Sequence, residues 1–118
     1  MKNLQNNFTT PAQSKRLLEL GVPTDSADFY YDKDEVEIDE IIHPYILPFN
    51  RKFSNYNDMF YLPCWSVGRL MEICKICEQK KYYEQLCEEL QYSKNYCVVI
   101  ISHIIANLPI IDFSKLED

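Results

Sequence analysis

The sequence predicts an α+β domain in which two or three helices pack on a small, mostly antiparallel sheet. Three observations carry this. Apolar residues recur at helical spacing through the second half of the chain, short β-prone aromatic runs mark the first half, and no repeat of 20 to 50 residues or low-complexity tract replaces a single packed core. The 118 residues, of which 47% are hydrophobic and 16 aromatic (Tyr 9, Phe 6, Trp 1), suffice for one domain. Such a body buries roughly 65% of its unfolded surface. The ends, residues 1–9 and 114–118, are expected to be loose.

The first helix opens at Thr10, where a capping hydroxyl, Pro11 at the first helical position and Gln13 three residues on make a capping box. Leu17, Leu18 and Leu20 follow, Gly21 stands where a left-handed residue is wanted, and Pro23 blocks continuation, so the helix should run over 11–20. Phe29, Tyr30 and Tyr31 then read as a short strand. Glu35, Glu37 and Asp39 alternate with Val36 and Ile38, leading to Ile41 and Ile42, which predicts a second strand with one wet face.

The stretch 43–49 is apolar and bracketed by Pro44 and Pro48, which suits an edge strand or an extended segment laid over the core. Residues 50–58 read as a polar loop. Met59 to Leu62 form a further short strand that should stop at Pro63. Beyond Trp65 and Ser66, the positions Val67, Leu70, Met71, Cys74 and Cys77 trace one buried helical stripe. Tyr83, Leu86, Cys87 and Leu90 repeat that spacing with Glu84, Glu88 and Glu89 outside, although Tyr82 and Tyr83 also suit the start of a strand. From Asn95 to Leu108 the run is apolar on nearly every side. Its length predicts a buried helix in spite of its β-branched content. In the polar tail, Phe113 and Leu116 are candidates to dock.

Charge narrows the function classes. The formal net charge is −6, and eight acids against Lys33 alone between Asp25 and Glu40 give that segment a balance of −7. Bulk attraction to a phosphate backbone is therefore not expected, and nucleic acid is not an expected partner. With only two glycines, Gly21 and Gly68, neither a P-loop nor a dinucleotide fingerprint can be written. No apolar stretch is long enough for a membrane helix and the first residues lack an apolar signal core, so a soluble cytoplasmic protein is expected, without a membrane partner. Five cysteines in such a chain read as reduced thiols.

Candidate chemistry is sparse. Cys74 and Cys77 form a CxxC pattern followed by Cys87 and Cys97, but they fall on an apolar helical stripe, where thiols behave as small hydrophobes, so neither a metal site nor a cofactor is expected. A nucleophile and base could in principle be made from Cys64 or Ser66 with His43 or His103, the two histidines of the chain, as in a small thiol- or serine-dependent hydrolase. The acidic segment reads mainly as a solvated strand face, with capture of a basic protein surface as its functional alternative. Tyr56, Phe60, Tyr61 and Trp65 cluster around the entry to the second main helix, a composition that suits interface hot spots; core packing is the simpler account of at least half of them, and the four are the candidate protein-binding face.

The segments 10–31 (TPAQSKRLLELGVPTDSADFYY), 62–73 (LPCWSVGRLMEI) and 111–118 (IDFSKLED) resemble parts of small proteins of gut Bacteroidales genomes, often carried in prophages and other mobile elements. The likeness covers about a third of the chain, leaves 32–58 and 78–95 unmatched, and carries no catalytic motif. It implies a bacterial accessory protein of the host or its prophage. The expected function is thus non-enzymatic: a protein-binding or regulatory module, with homodimerisation through a sheet edge as a compatible possibility.

Overall fold

The computed structural model describes residues 7–37, 44–48, 52–53, 59–76 and 80–116. In chain order they form α1 (Pro11–Glu19), β1 (Phe29–Asp32), α2 (Lys33–Glu37), β2 (Tyr45–Ile46), β3 (Tyr61–Cys64), α3 (Val67–Lys75), α4 (Lys80–Leu90) and α5 (Tyr96–Asn107), with 3-10 turns at Thr24–Ser26, Leu108–Ile110 and Phe113–Lys115. Five α-helices accompany one three-stranded antiparallel sheet of order β2-β1-β3 among the described residues. The α+β class stands, with more helices than two or three.

Helix α1 is written in its caps. Thr10 Oγ1 accepts from Gln13 N at 3.1 Å while Gln13 Oε1 accepts from Thr10 N at 2.9 Å, so two end donors are satisfied reciprocally. At the other end Gly21, at φ +94°, lets its N–H reach Leu18 O at 3.0 Å and that of Val22 reach Leu17 O at 3.0 Å. Both bonds of a Schellman motif are present, with Leu17 and Val22 buried together.

The acidic strand expected over 35–42 is overturned in its first part, because residues 33–37 form the helical turn α2. Asp32 Oδ1 accepts from Asp34 N at 2.9 Å, and Asp34 and Glu35 fall in the first turn, where the free N–H groups favour negative charge. Local capping therefore wins over the period of two. The rest of that expected strand lies outside the described residues. The bracketed segment does yield an edge strand, β2, which pairs Tyr45 with Tyr30 and Ile46 with Phe29.

Strand β3 begins two residues later than expected and runs through Pro63, with Met59 and Phe60 in the preceding turn. The register pairs Asp32 with Tyr61, Tyr31 with Leu62, Tyr30 with Pro63 and Phe29 with Cys64. Lys33 N donates to Phe60 O at 2.9 Å, which makes the next pair in register a hydrogen-bonded one. By alternation Tyr30 and Pro63 are then a non-hydrogen-bonded pair, so β1 asks Pro63 for no N–H.

The helical half holds the main core. Ser66 caps α3, its Oγ accepting from Arg69 N at 3.1 Å, and Leu70, Ile73 and Cys74 turn inward from that helix. The stretch that suited either helix or strand is the helix α4, which contributes Leu86. Asn95 caps α5 through Val98 N at 3.2 Å, and Cys97, Ile100, Ile101, Ile104 and Asn107 line its buried side. Phe113 and Leu116 of the tail pack against this core, and Trp65 sits within it. A smaller cluster of Tyr31, Leu62 and Cys64, with Phe8, Leu18 and Phe29 against it, joins α1 to the sheet. Phe8 and Thr9, expected in a loose end, are held there: Phe8 bridges to Ser66 and Thr9 N donates to Trp65 O at 2.9 Å. No helix among the described residues is long and apolar enough to cross a membrane.

Candidate functional site

The four aromatic candidates separate. Trp65 is 0% exposed, its indole Nε1 donates to Ser26 Oγ at 3.0 Å, and its backbone N–H donates to Thr9 Oγ1 at 3.1 Å. As part of a binding face it must be set aside: Trp65 presents no surface, because both of its donors and its ring are committed to the interior. Tyr56 lies outside the described residues. Phe60 is 54% exposed, in the turn before β3, and Tyr61 is half-buried at the start of that strand.

The sheet supplies partners that the sequence reading did not single out. Residues directly opposite in an antiparallel pair share a face, so Phe29, Tyr31, Leu62 and Cys64 point one way and Tyr30, Tyr45, Tyr61 and Pro63 the other. On that second face Tyr30 stacks on Tyr45 with centroids 5.5 Å apart and meets Tyr61 edge-on at 5.4 Å. Three tyrosines thus run obliquely across the three strands. The signal for Tyr30 was present, since a period of two sends neighbours Tyr30 and Tyr31 to opposite faces. Tyr45 needed the pairing of β2 with β1, which no local pattern states.

Around this row the surface is apolar and acidic. Met59 is 73% exposed beside Phe60, whereas Ile46, 68% exposed on β2, pairs with Phe29 and so points to the opposite face of the sheet. The acidic turn α2 leaves the same end of β1 that the Met59–Phe60 turn reaches, tied to it by the Lys33 to Phe60 bond. Tyr45 Oη donates to Glu35 Oε1 at 2.5 Å, so the carboxylate of α2 is drawn to the tyrosine row. That hydrogen bond to Glu35 also raises the phenol of Tyr45 above its ordinary value.

Of the residues named for nucleophilic chemistry, the described ones are otherwise engaged. Cys64 is fully buried, exchanges 3.6 Å contacts with the hydroxyl and carbonyl of Thr9, and is pushed up to about 12 by loss of solvent, so it is a neutral thiol at pH 7. Ser66 donates its hydroxyl proton to Asp28 Oδ2 at 2.5 Å while its N–H meets Asp28 Oδ1 at 2.9 Å, an arrangement that fixes the start of α3. His43 lies outside the described residues. His103 Nε2 lies 2.9 Å from Glu89 Oε2, bridging α4 and α5, and no hydrogen bond joins it to Cys64 or Ser66.

His103 does share a small cavity with Cys74, Tyr83 and Asn107, but its volume is about 10 Å³, room for one water. Asn107 Nδ2 donates to His103 O at 2.8 Å, which anchors the last turn of α5 and orients no reacting group. Cys77 lies outside the described residues. Among those described, no three His, Cys, Asp or Glu side chains gather as a metal-ligating group. No family model, curated protein or solved structure matches the chain.

Proposed function

We propose that the protein is a non-enzymatic binding module whose working surface is the tyrosine face of the sheet, and that it takes a basic segment of a partner protein. The observation that carries the reading is the exposure of Tyr45 on the sheet and of Met59 and Phe60 in the turn beside it, at the strand end where the acidic turn α2 begins. Large rings and a thioether bury area at small entropic loss, and carboxylates at the margin favour Lys or Arg on the partner. A guanidinium stacks well on phenol rings, which makes an arginine-bearing segment the best fit. The likeness to small proteins of gut Bacteroidales genomes supports a host or prophage protein as the partner's source.

The test begins with a tagged chain used to recover a stoichiometric partner, which is then purified and titrated by calorimetry. Phe60→Ala and Asp34→Lys should each weaken binding at least about tenfold while the circular dichroism spectrum is kept. Affinity should also fall between about 50 and 300 mM salt, as charge attraction across a rim does. Binding that ignores both substitutions and salt would remove the sheet face from the reading.

A further inference from the structure

Helix α5, which packs on α3 and α4, carries a second surface feature. Its buried side is set by Cys97, Ile100, Ile101, Ile104 and Asn107. Val98, Ser102, Ile105 and Ala106 follow at i, i+4, i+7 and i+8, which puts them on one stripe, and all four are exposed, Val98 by 50% and Ile105 by 39%. The one polar group within the stripe is satisfied internally, because Ser102 Oγ donates to Val98 O at 3.0 Å. Covering it therefore leaves no orphan hydroxyl.

Charge identifies what covers it. A twofold contact sets every charge near the image of its own neighbourhood, and in a chain of net charge −6 most surfaces would repel themselves. The twelve residues of α5 contain no Asp, Glu, Lys or Arg. Opposite signs stand nearest its two ends, the exposed Lys94 before it and the exposed Asp112 beyond it, the latter with Lys115 three residues further on. Antiparallel packing of two copies directs Lys94 of each toward Asp112 of the other and opposes the two helix dipoles favourably, whereas parallel packing sets like against like. The small side chains of Ser102 at mid-stripe and Ala106 at its end allow the two backbones to approach.

We infer that the protein self-associates through α5, two copies packing antiparallel about a twofold axis at Ser102. The stripe from Val98 to Ala106 spans about 12 Å of helix, so the contact falls below the roughly 1,200 Å² of a stable interface. The dimer is accordingly weak and concentration-dependent, and its stripe shares no residue with the tyrosine face of the sheet.

Sedimentation velocity of the whole chain from about 5 μM to about 1 mM tests this. The mean mass should rise with concentration for the wild type, and S102E and S102K should each stay monomeric with unchanged helical circular dichroism. An equimolar mixture of S102E and S102K should associate again, because the two unlike charges meet at the axis. If either variant loses its fold, the same charge pair placed at Ala106 repeats the experiment. A wild type that stays monomeric throughout leaves the stripe to some other occupant and overturns the inference. Association that persists in both variants, or a mixture that stays monomeric, overturns it equally. Phe60→Ala should leave the dimer intact, which separates failure here from failure of the sheet-face reading.

Discussion

Thr9 and Trp65 are joined at both their backbone and side-chain levels: Thr9 N donates to Trp65 O at 2.9 Å and Thr9 Oγ1 accepts from Trp65 N at 3.1 Å. The same hydroxyl lies 2.8 Å from Ser14 Oγ and 3.6 Å from Cys64 Sγ, and the Thr9 carbonyl accepts from Tyr31 Oη at 2.6 Å. With Ser14 donating, the one donor and two acceptor positions of the hydroxyl are all used. One buried threonine thus ties the chain's N-terminal part to α1, to β1 and β3, and to the entry of α3.

Removing that hydroxyl should be expensive for its size. Thr9→Val keeps the shape but leaves Trp65 N–H and Ser14 Oγ buried without their partner, at a cost of roughly 2–4 kcal/mol. Thr9→Ser retains the bonds and loses one methyl, about 1 kcal/mol. Urea denaturation of the two variants should separate them clearly, and equal losses would mean the network contributes only by packing.

Thiol accessibility follows the burial order. Cys64 and Cys97 are fully buried, and burial pushes them up to about 12 and about 11, so neither offers a thiolate near neutrality. Cys87 is half-buried on α4. Alkylation of the native chain at neutral pH, mapped by mass spectrometry, should label Cys87 well before Cys64 or Cys97, and denaturant should release the buried pair. Fast native labelling of Cys64 would revive the hydrolase alternative and contradict the burial shown here.

Much of this was legible in the chain, and the failures have local causes. The Thr10 and Gln13 capping box, Gly21 and Pro23 specified α1 because their chemistry acts within four residues. The β-branched run of α5 resolved as a helix because its length and the Asn95 cap outweigh its strand propensity. Residues 35–37 fold as helix and not as strand because Asp32 caps a turn within a pattern that also alternates. The tyrosine face was half visible, since Tyr30 and Tyr61 lie on recognisable strands while Tyr45 joins them only through pairing. For Trp65 composition leaves core and binding face both open, and the structure places it in the core. Its donors find Ser26 and Thr9, residues 39 and 56 positions away, and no local rule reports a contact at that separation.

Alkaline instability is built into the same interior. Loss of solvent raises Cys64 to about 12 and Cys97 to about 11 against an ordinary thiol value of 9.0, and Tyr31 is likewise raised by burial. A folded state that holds these protons more tightly than the unfolded chain keeps its full stability below the unfolded value and loses it as pH rises through the folded one. The denaturation midpoint should therefore hold to about pH 8.5 and fall between about pH 9 and 12. Cys97→Ala should lower stability at pH 7 through the cavity it leaves, yet flatten the decline from about pH 9 to 11. A decline as steep in the variant as in the wild type would assign the alkaline loss to other groups.

The end of α1 permits a backbone effect to be measured free of packing. Gly21 stands at φ +94°, and a β-carbon built there meets nothing within 4 Å, so any loss on substitution comes from the left-handed conformation and not from a clash. Gly21→Ala should cost about 1–2 kcal/mol, while Gly21→Asn should lose less, because asparagine enters that region more readily. Either change leaves the N–H groups of residues 21 and 22 in place to reach Leu18 O and Leu17 O. The ordering Gly, then Asn, then Ala in urea midpoint is the expected result; an alanine variant as stable as wild type would show that the α1 terminus relaxes out of the Schellman geometry at no cost, and that the pairing of Leu17 with Val22 does not depend on it.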